Sequence, residues 1–144
     1  MHVRQLLDTK AKNFIETVSE MQTLSDVVRR LAELKIGAVV VTDGDGGVTG
    51  IISERDIVRQ LAAKGPSCLS SAVRDTMTKN VISAVPNDVA EDLLGKMTAG
   101  RFRHMPVIDD GALIGILSIG DVVKAKMDSI KAENEALEGM IRGF

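Results

Sequence analysis

The sequence of 144 residues contains an internal repeat, in which similar segments follow one another in the same order twice. This repeat constrains the fold more than any other feature. The segment KNFIETVSEMQTLSDVVRRLAELKIGAVVVTD (residues 12–43) aligns with KNVISAVPNDVAEDLLGKMTAGRFRHMPVID (79–109), and GIISERDIV (50–58) aligns with GILSIGDVV (115–123). A unit of about 60 residues is only marginally stable alone. We therefore predict two small repeats that fold together as one module.

Both copies have the same predicted order of elements. An extended segment (14–18 and 81–85) precedes a helix with apolar residues at helical spacing, namely Leu24, Val27, Val28, Leu31 and Leu34 in one copy and Val89, Leu93 and Met97 in the other. Thr23 and Asp26 form a predicted capping box for the first of these helices. A buried strand (38–42 and 104–108), a hairpin turn rich in Asp and Gly, a second strand and a second helix follow. The pattern predicts an α+β (α/β) fold of two tandem β-α-β-β-α repeats packed about a pseudo-two-fold axis.

The predicted boundaries are an N-terminal segment (1–11), a first repeat (12–63), a linker with a lead-in helix (64–78), a second repeat (79–126) and a C-terminal helical extension (127–144). In the extension, apolar residues recur with spacings of seven, four and three, and Asn134 falls at the intervening position; they are Ile130, Leu137, Ile141 and Phe144. This stripe fits either a short coiled coil between subunits or a helix that folds back on its own domain.

Composition excludes several classes of function. A net charge of −2 and only three aromatic residues argue against nucleic-acid binding. One cysteine and two histidines provide neither a disulfide nor a zinc cluster. The DGDGG turn at 43–47 lacks the downstream Glu of a calcium loop. No apolar run approaches the roughly 20 residues that span a bilayer, and the N-terminus lacks a signal core, so we expect a cytoplasmic protein without membrane contact.

The repeated Ser-x-x-Asp phrase has two interpretations. As a capping box, Ser53 and Ser118 accept a first-turn N–H, and Asp56 and Asp121 lie favourably in the helix dipole. As a ligand site, the same helix N-terminus and hydroxyl suit a phosphate, and the carboxylate suits ribose hydroxyls. The two roles are compatible, since a cap can release its bonds to a ligand.

The doubled plan, the HMPVID strand and the endings GIISERD and GILSIGD resemble a tandem pair of CBS domains, the cystathionine-β-synthase-type repeat, over residues 12–126. The resemblance implies a non-catalytic regulatory module that binds adenine-containing nucleotides (AMP, ADP, ATP or NAD(H)) in two clefts between the repeats. It also implies a homodimer that reports energy or redox state to an unknown downstream protein partner.

The resemblance further implies which residues line each cleft. For the first cleft they are Ile15, Thr17, Gly37, Ala38, Val39, Ser53, Arg55 and Asp56. For the second they are Ile82, Ser83, Arg103, His104, Met105, Pro106, Ser118 and Asp121. Any single apolar member also fits ordinary sheet core. Because Glu54 would oppose a phosphate beside Ser53, we expect the two clefts to differ in affinity or ligand.

Two other functions remain as alternatives. One is a ligand-free dimerisation scaffold. The other is a nucleotide-hydrolysing enzyme with Asp56 or Asp121 as base, which the sequence disfavours because it offers no metal cluster, no nucleophile–base pair and no P-loop. We therefore expect no catalytic residues and no metal site.

Overall fold

The computed structural model describes residues 1–10 and 15–142. Its helices are α1 (Val3–Thr9), α2 (Leu24–Leu34), α3 (Glu54–Lys64), α4 (Leu93–Gly100) and α5 (Ile119–Ile141), and its strands are β1 (Thr17–Ser19), β2 (Ala38–Thr42), β3 (Val48–Ser53), β4 (His104–Asp109) and β5 (Ala112–Ser118). Short 3-10 helices cover Pro66–Ser70, Val73–Asp75 and Ala90–Asp92. The mixed helix-and-strand class, the two repeats and the C-terminal helix are confirmed. Within the described ranges, no helix combines the length and the apolar character that crossing a bilayer requires.

The chain divides into two compact units that do not follow the repeat boundaries. Unit 1 consists of Met1–Phe14, Ser83–Asp110 and Ile114–Phe144, and unit 2 consists of Ile15–Ile82 and Gly111–Leu113. The first residues of the chain therefore belong to the same unit as most of the second repeat.

Unit 2 is built on a three-stranded sheet in the order β1-β2-β3. β1 runs parallel to β2, β2 runs antiparallel to β3, and the register places Ala38 opposite Ser53. The β-branched residues of β2, the buried face of α2 and Ile52 of β3 form the core. Its largest members include Leu24, Val27, Val39, Val41 and Ile52. The end of β3 thus lies directly beside the start of β2.

Unit 1 pairs β4 with β5 and includes α1 in its core. Val3, Leu6 and Leu7 of α1 are buried together with residues of α4, β5 and α5. Main-chain hydrogen bonds hold the start of α1, since Val3 N donates to Asp88 O (2.9 Å) and Ala90 N donates to the Met1 carbonyl (2.8 Å). The N-terminal helix is therefore an integral part of unit 1.

Several local predictions were wrong. The extended segment at 81–85 is reduced to one parallel bridge between Ala84 and Val107. Asp88 Oδ2 accepts from Val85 N at 2.9 Å, and Pro86 has no N–H to donate, so the pairing does not extend beyond Ala84. Val89 lies before α4 and is 40% exposed.

Other differences concern the first repeat and the linker. Val28 is 39% exposed and does not join the buried stripe of α2. The predicted lead-in helix is a single 3-10 turn at Val73–Asp75. The start of the first extended segment, at Phe14, and the last member of the C-terminal stripe, Phe144, lie outside the described residues.

Helix α5 continues without a break from the second repeat into the extension. Its apolar stripe is exposed, with Ile130 at 46%, Leu137 at 50% and Ile141 at 86%. The alternative that the stripe folds back on its own domain is therefore wrong for these residues.

Candidate functional site

The first Ser-x-x-Asp phrase forms a complete capping box where β3 ends and α3 begins. Asp56 Oδ2 accepts from Ser53 N (2.8 Å) and from the Ser53 hydroxyl (3.1 Å), while Asp56 N donates to Ser53 Oγ at 3.4 Å. Glu54 N donates to Gly37 O at 3.0 Å, which ties the helix start to the beginning of β2. These bonds all join residues of unit 2, and the hydroxyl of Ser53 donates to the carboxylate of Asp56.

The second phrase forms the same box where β5 meets α5. Asp121 Oδ2 accepts from Ser118 N at 2.8 Å, and Asp121 N donates to Ser118 Oγ at 3.2 Å. Ile119 N donates to Arg103 O at 2.8 Å, in the role that Glu54 and Gly37 play in the first copy. The repeated sequence thus produces the same local backbone arrangement twice.

A lysine distinguishes the second box from the first. Lys10, at the end of α1, places its ammonium 3.0 Å from Asp121 Oδ2 and donates to Ile116 O at 2.6 Å. Only 18% of the lysine side chain and 21% of the aspartate side chain are exposed. This partly desolvated ion pair joins residues more than a hundred positions apart and is stronger than a typical exposed pair.

A third capping box, at the start of α2, provides an internal reference. Thr23 N donates to Asp26 Oδ2 (3.0 Å), and Asp26 N donates to Thr23 Oγ1 (3.2 Å). Hydrogen bonds from the Thr23 backbone and then from its side chain lower the pKa of Asp26 from its usual value. No ligand role is predicted for this box, so it shows what the motif does as a cap alone.

The Lys10–Asp121 pair lies in the wall of a cavity of about 460 Å³ in unit 1. Helix α1 and the first half of α5 supply its lining, which consists of Met1, Leu6, Thr9, Lys10, Asp121, Lys124, Ala125 and Asp128. The volume falls in the range of about 300–1,000 Å³ that is usual for small-molecule sites. A carboxylate at a helix N-terminus, two lysines and an apolar floor suit a ligand with hydroxyl groups and an anionic group.

The residues predicted for the first cleft have varied positions in unit 2. Gly37, Ala38, Ser53 and Asp56 meet at the junction of β2, β3 and α3. Thr17 lies on β1 opposite Val40, Ile15 is 44% exposed, and Arg55 is exposed on α3. The side chain of Val39 is only 1% exposed and belongs to the core, so only its main chain is available to a ligand.

The residues predicted for the second cleft are also dispersed. Ser118 and Asp121 lie in the capping box, with Arg103 and His104 at the start of β4. The side chain of Met105 is fully buried, and Pro106 is buried with its carbonyl accepting from Ala84 N at 2.8 Å. Ser83 is exposed; Ile82 is exposed and belongs to unit 2. Of this set, only Asp121 lines the cavity of unit 1.

Sequence reasoning missed Lys10 and Lys124. Lys124 follows Asp121 by three residues, so helical spacing places both on one face, and this signal was available. Lys10 gave no local signal, because its contact with Asp121 depends on α1 joining the second repeat.

Comparison with known proteins gives the family. The model of the CBS domain matches residues 3–63 and 73–128. The CBS domain-containing protein CBSCBSPB2 of Arabidopsis thaliana is 34% identical over 122 residues, which are 85% of this chain but 22% of that protein. The chain therefore spans only about a fifth of the length of this relative.

Solved structures have the same fold. The CBS-domain containing protein ATU1752 from Agrobacterium tumefaciens is 46% identical, with a TM-score of 0.83 over 88% of this chain and 99% of that chain. The CBS domain protein PAE2072 from Pyrobaculum aerophilum, whose structure is a complex with AMP, is 26% identical, with a TM-score of 0.73 over 84% of this chain and 89% of that chain. With both repeats matched by the domain model, the chain belongs to the CBS-domain family and carries a pair of CBS domains.

Proposed function

We propose that this chain is a non-catalytic regulatory module that binds adenine-containing nucleotides, namely AMP, ADP, ATP or NAD(H), through its two Ser-x-x-Asp phrases. Ligand occupancy would bias the conformation or assembly of the module, and a downstream protein partner would respond to that change. The AMP complex of the Pyrobaculum aerophilum relative supports this choice of ligand class.

The observation that carries the proposal is the position of Asp121 in the cavity wall. One carboxylate oxygen, Oδ2, is held by Ser118 N and by Lys10, which fixes the orientation of the group. The aspartate side chain is 21% exposed and lines the cavity, so a ligand there can reach the carboxylate. An oriented carboxylate with acceptor capacity left can receive a ribose hydroxyl.

A titration tests the proposal. The full chain is titrated with AMP, ADP, ATP, NAD, NADH and S-adenosylmethionine by calorimetry, and the mixtures are analysed for products. We expect binding of at least one of these without turnover. Turnover would establish an enzyme instead, and absence of binding would favour the ligand-free scaffold.

Three matched variants separate ligand binding from capping. Asp26→Asn, Asp56→Asn and Asp121→Asn each remove the carboxylate of one capping box. We expect Asp121→Asn to lower nucleotide affinity by roughly 10-fold or more, because hydrogen bonds to a charged group are worth about 1.5–3 kcal/mol. Asp26→Asn should leave affinity unchanged. Equal affinity in all three variants would show that the motif serves only as a cap.

The proposal includes a homodimer, supported by the exposed stripe of α5. Beyond the second repeat, every described residue of α5 except Gly139 is exposed, and an isolated helix of this length is marginal in water. A second copy of the chain would cover the stripe and match Asn134 with an identical residue. Light scattering should give a molar mass of two chains. Leu137→Glu should reduce the molar mass to that of one chain. The control is Glu135→Gln, a change at an exposed residue outside the stripe. A wild-type mass of one chain would refute the dimer.

A further inference from the structure

Among the described residues, the ammonium of Lys10 has two contacts, which leave one of its three N–H donors for a ligand. A lysine ammonium carries three N–H donors, and here it bonds Asp121 Oδ2 and Ile116 O. The side chain also lines the cavity of unit 1. We propose that Lys10 recognises the phosphate of the ligand and makes this site select a phosphorylated nucleoside over the nucleoside alone. This inference rests on the proposed nucleotide-binding function.

The charges around the cavity make Lys10 decisive for accepting an anion. Helix α5 contributes two carboxylates, Asp121 and Asp128, and one cation, Lys124. The α-ammonium of Met1 is already paired with Glu91 at 3.1 Å. Without Lys10 the lining would carry an excess of negative charge and repel a phosphate. With Lys10 the charges balance, and the paired lysine can still attract an anion.

The backbone holds Lys10 in position before any ligand arrives. Its N–H donates to Leu7 O at 3.3 Å, and Leu6 and Leu7 anchor the preceding turn in the core of unit 1. The side chain is ordered by its two contacts at 3.0 and 2.6 Å. A residue ordered in advance loses less entropy on binding, so its contact with a phosphate contributes more to affinity.

The assignment also explains how one carboxylate serves two purposes. Asp121 orients Lys10 through Oδ2, and its carboxylate has further acceptor sites for a ribose hydroxyl, so that sugar and phosphate are recognised by adjacent groups. Adenosine would use only the carboxylate, whereas AMP would use both. The predicted signature is therefore a change in the ratio of the two affinities.

The test is calorimetric titration of the full chain with AMP and with adenosine. The variants are Lys10→Met, which keeps the apolar stem, Lys10→Arg, which keeps the charge, and Lys64→Met, an exposed lysine of unit 2 that serves as control. We expect Lys10→Met to weaken AMP binding by roughly 10- to 100-fold and adenosine binding by less than about 3-fold. Lys10→Arg should retain most of the preference for AMP, and Lys64→Met should behave as wild type.

Each other outcome overturns a defined part of the inference. Equal weakening of AMP and adenosine by Lys10→Met, with a lowered melting temperature, would show that Lys10 only supports the fold. Unchanged affinities would show that the phosphate lies elsewhere, with the proposed function intact. If the wild-type chain binds neither AMP nor adenosine, the role of Lys10 falls, and if it binds none of the other nucleotides, the proposed function falls too.

Discussion

The two Ser-x-x-Asp boxes share the bond from the Ser N–H to the Asp carboxylate. They differ in the second group that contacts this carboxylate. In the first box, Asp56 Oδ2 accepts from the hydroxyl of Ser53 at 3.1 Å, within the same phrase. In the second, Asp121 Oδ2 forms an ion pair with the ammonium of Lys10 at 3.0 Å, a residue far away in sequence. The residues that follow the serine also differ, being Glu54 and Arg55 in one copy and Ile119 and Gly120 in the other.

This difference shows that a local motif determines a cap but not its surroundings. Sequence spacing alone brings Ser and Asp together at the helix start, because the capping box closes over three residues. The charge at the carboxylate depends on what the rest of the fold brings there. Among the described residues, only the carboxylate of the second box forms an ion pair with a residue distant in sequence. We therefore expect the two boxes to differ as ligand sites.

The largest expected effect comes from breaking the first copy alone. In Gly50→Ala the added methyl carbon would lie 2.6 Å from Met77 Sδ and 2.9 Å from Thr78 O. Overpacking of this kind costs about 1–3 kcal/mol. Chemical denaturation should show this loss of unfolding free energy, and hydrogen exchange should speed up in β2 and β3 more than in β4 and β5.

The control for this change is Gly95→Ala. Gly95 lies within α4, and its added methyl carbon would meet no atom within 4 Å. Alanine in an open helical position is worth up to about 1 kcal/mol relative to glycine, so this variant should be slightly more stable. Equal acceleration of exchange in all four strands by Gly50→Ala would contradict a destabilisation centred on β2 and β3.

A smaller effect is expected from removing the ion pair between Lys10 and Asp121, which distinguishes the second box from the first. A double-mutant cycle of Lys10→Met and Asp121→Asn should give a coupling of about 1 kcal/mol in unfolding free energy, because the pair is partly desolvated. The cycle of the exposed Lys64→Met with Asp121→Asn is the control and should give none, since the ion pair of Asp121 is with Lys10. Additive effects in the first cycle would mean that Lys10 is solvated in solution and that the two boxes are equivalent.

The smallest effect concerns acid stability, for which the third box is the reference. The pKa of Asp26 is lowered in the folded chain by hydrogen bonds from Thr23, first from its backbone and then from its side chain. Asp26 therefore contributes to the stability of the folded chain at pH values above its usual pKa of 3.8. This contribution is lost as the pH falls through the lower pKa of the folded state. Denaturation midpoints between about pH 5 and about pH 2 should fall less steeply in Asp26→Asn than in wild type. Parallel curves would refute this contribution.

The sequence predicted the elements that rest on local pattern. The boxes at Ser53 and Ser118, the buried strand at 38–42 and the hairpin turn before Ala112, where Asp110 and Gly111 adopt positive φ (49° and 79°), follow from spacing and residue type. The extended segment predicted at 81–85 pairs only at Ala84, because a single carboxylate, Asp88, takes the main-chain N–H of Val85. Lys10 was missed because no short-range signal reports a contact between the two ends of a chain.

Unit 1 is built from segments that are far apart in the sequence, and this has a consequence for biosynthesis. Helix α1 is synthesised before α5, yet Val3, Leu6 and Leu7 share one buried core with Leu117 and Val122. At a translation rate of about 5–20 residues per second, on the order of ten seconds separate the synthesis of these apolar side chains from that of the residues that bury them. Most of unit 2 is synthesised during that interval. Unit 1 is thus completed only after most of unit 2 has been synthesised, and a nascent chain stalled before β5 would present α1 to chaperones.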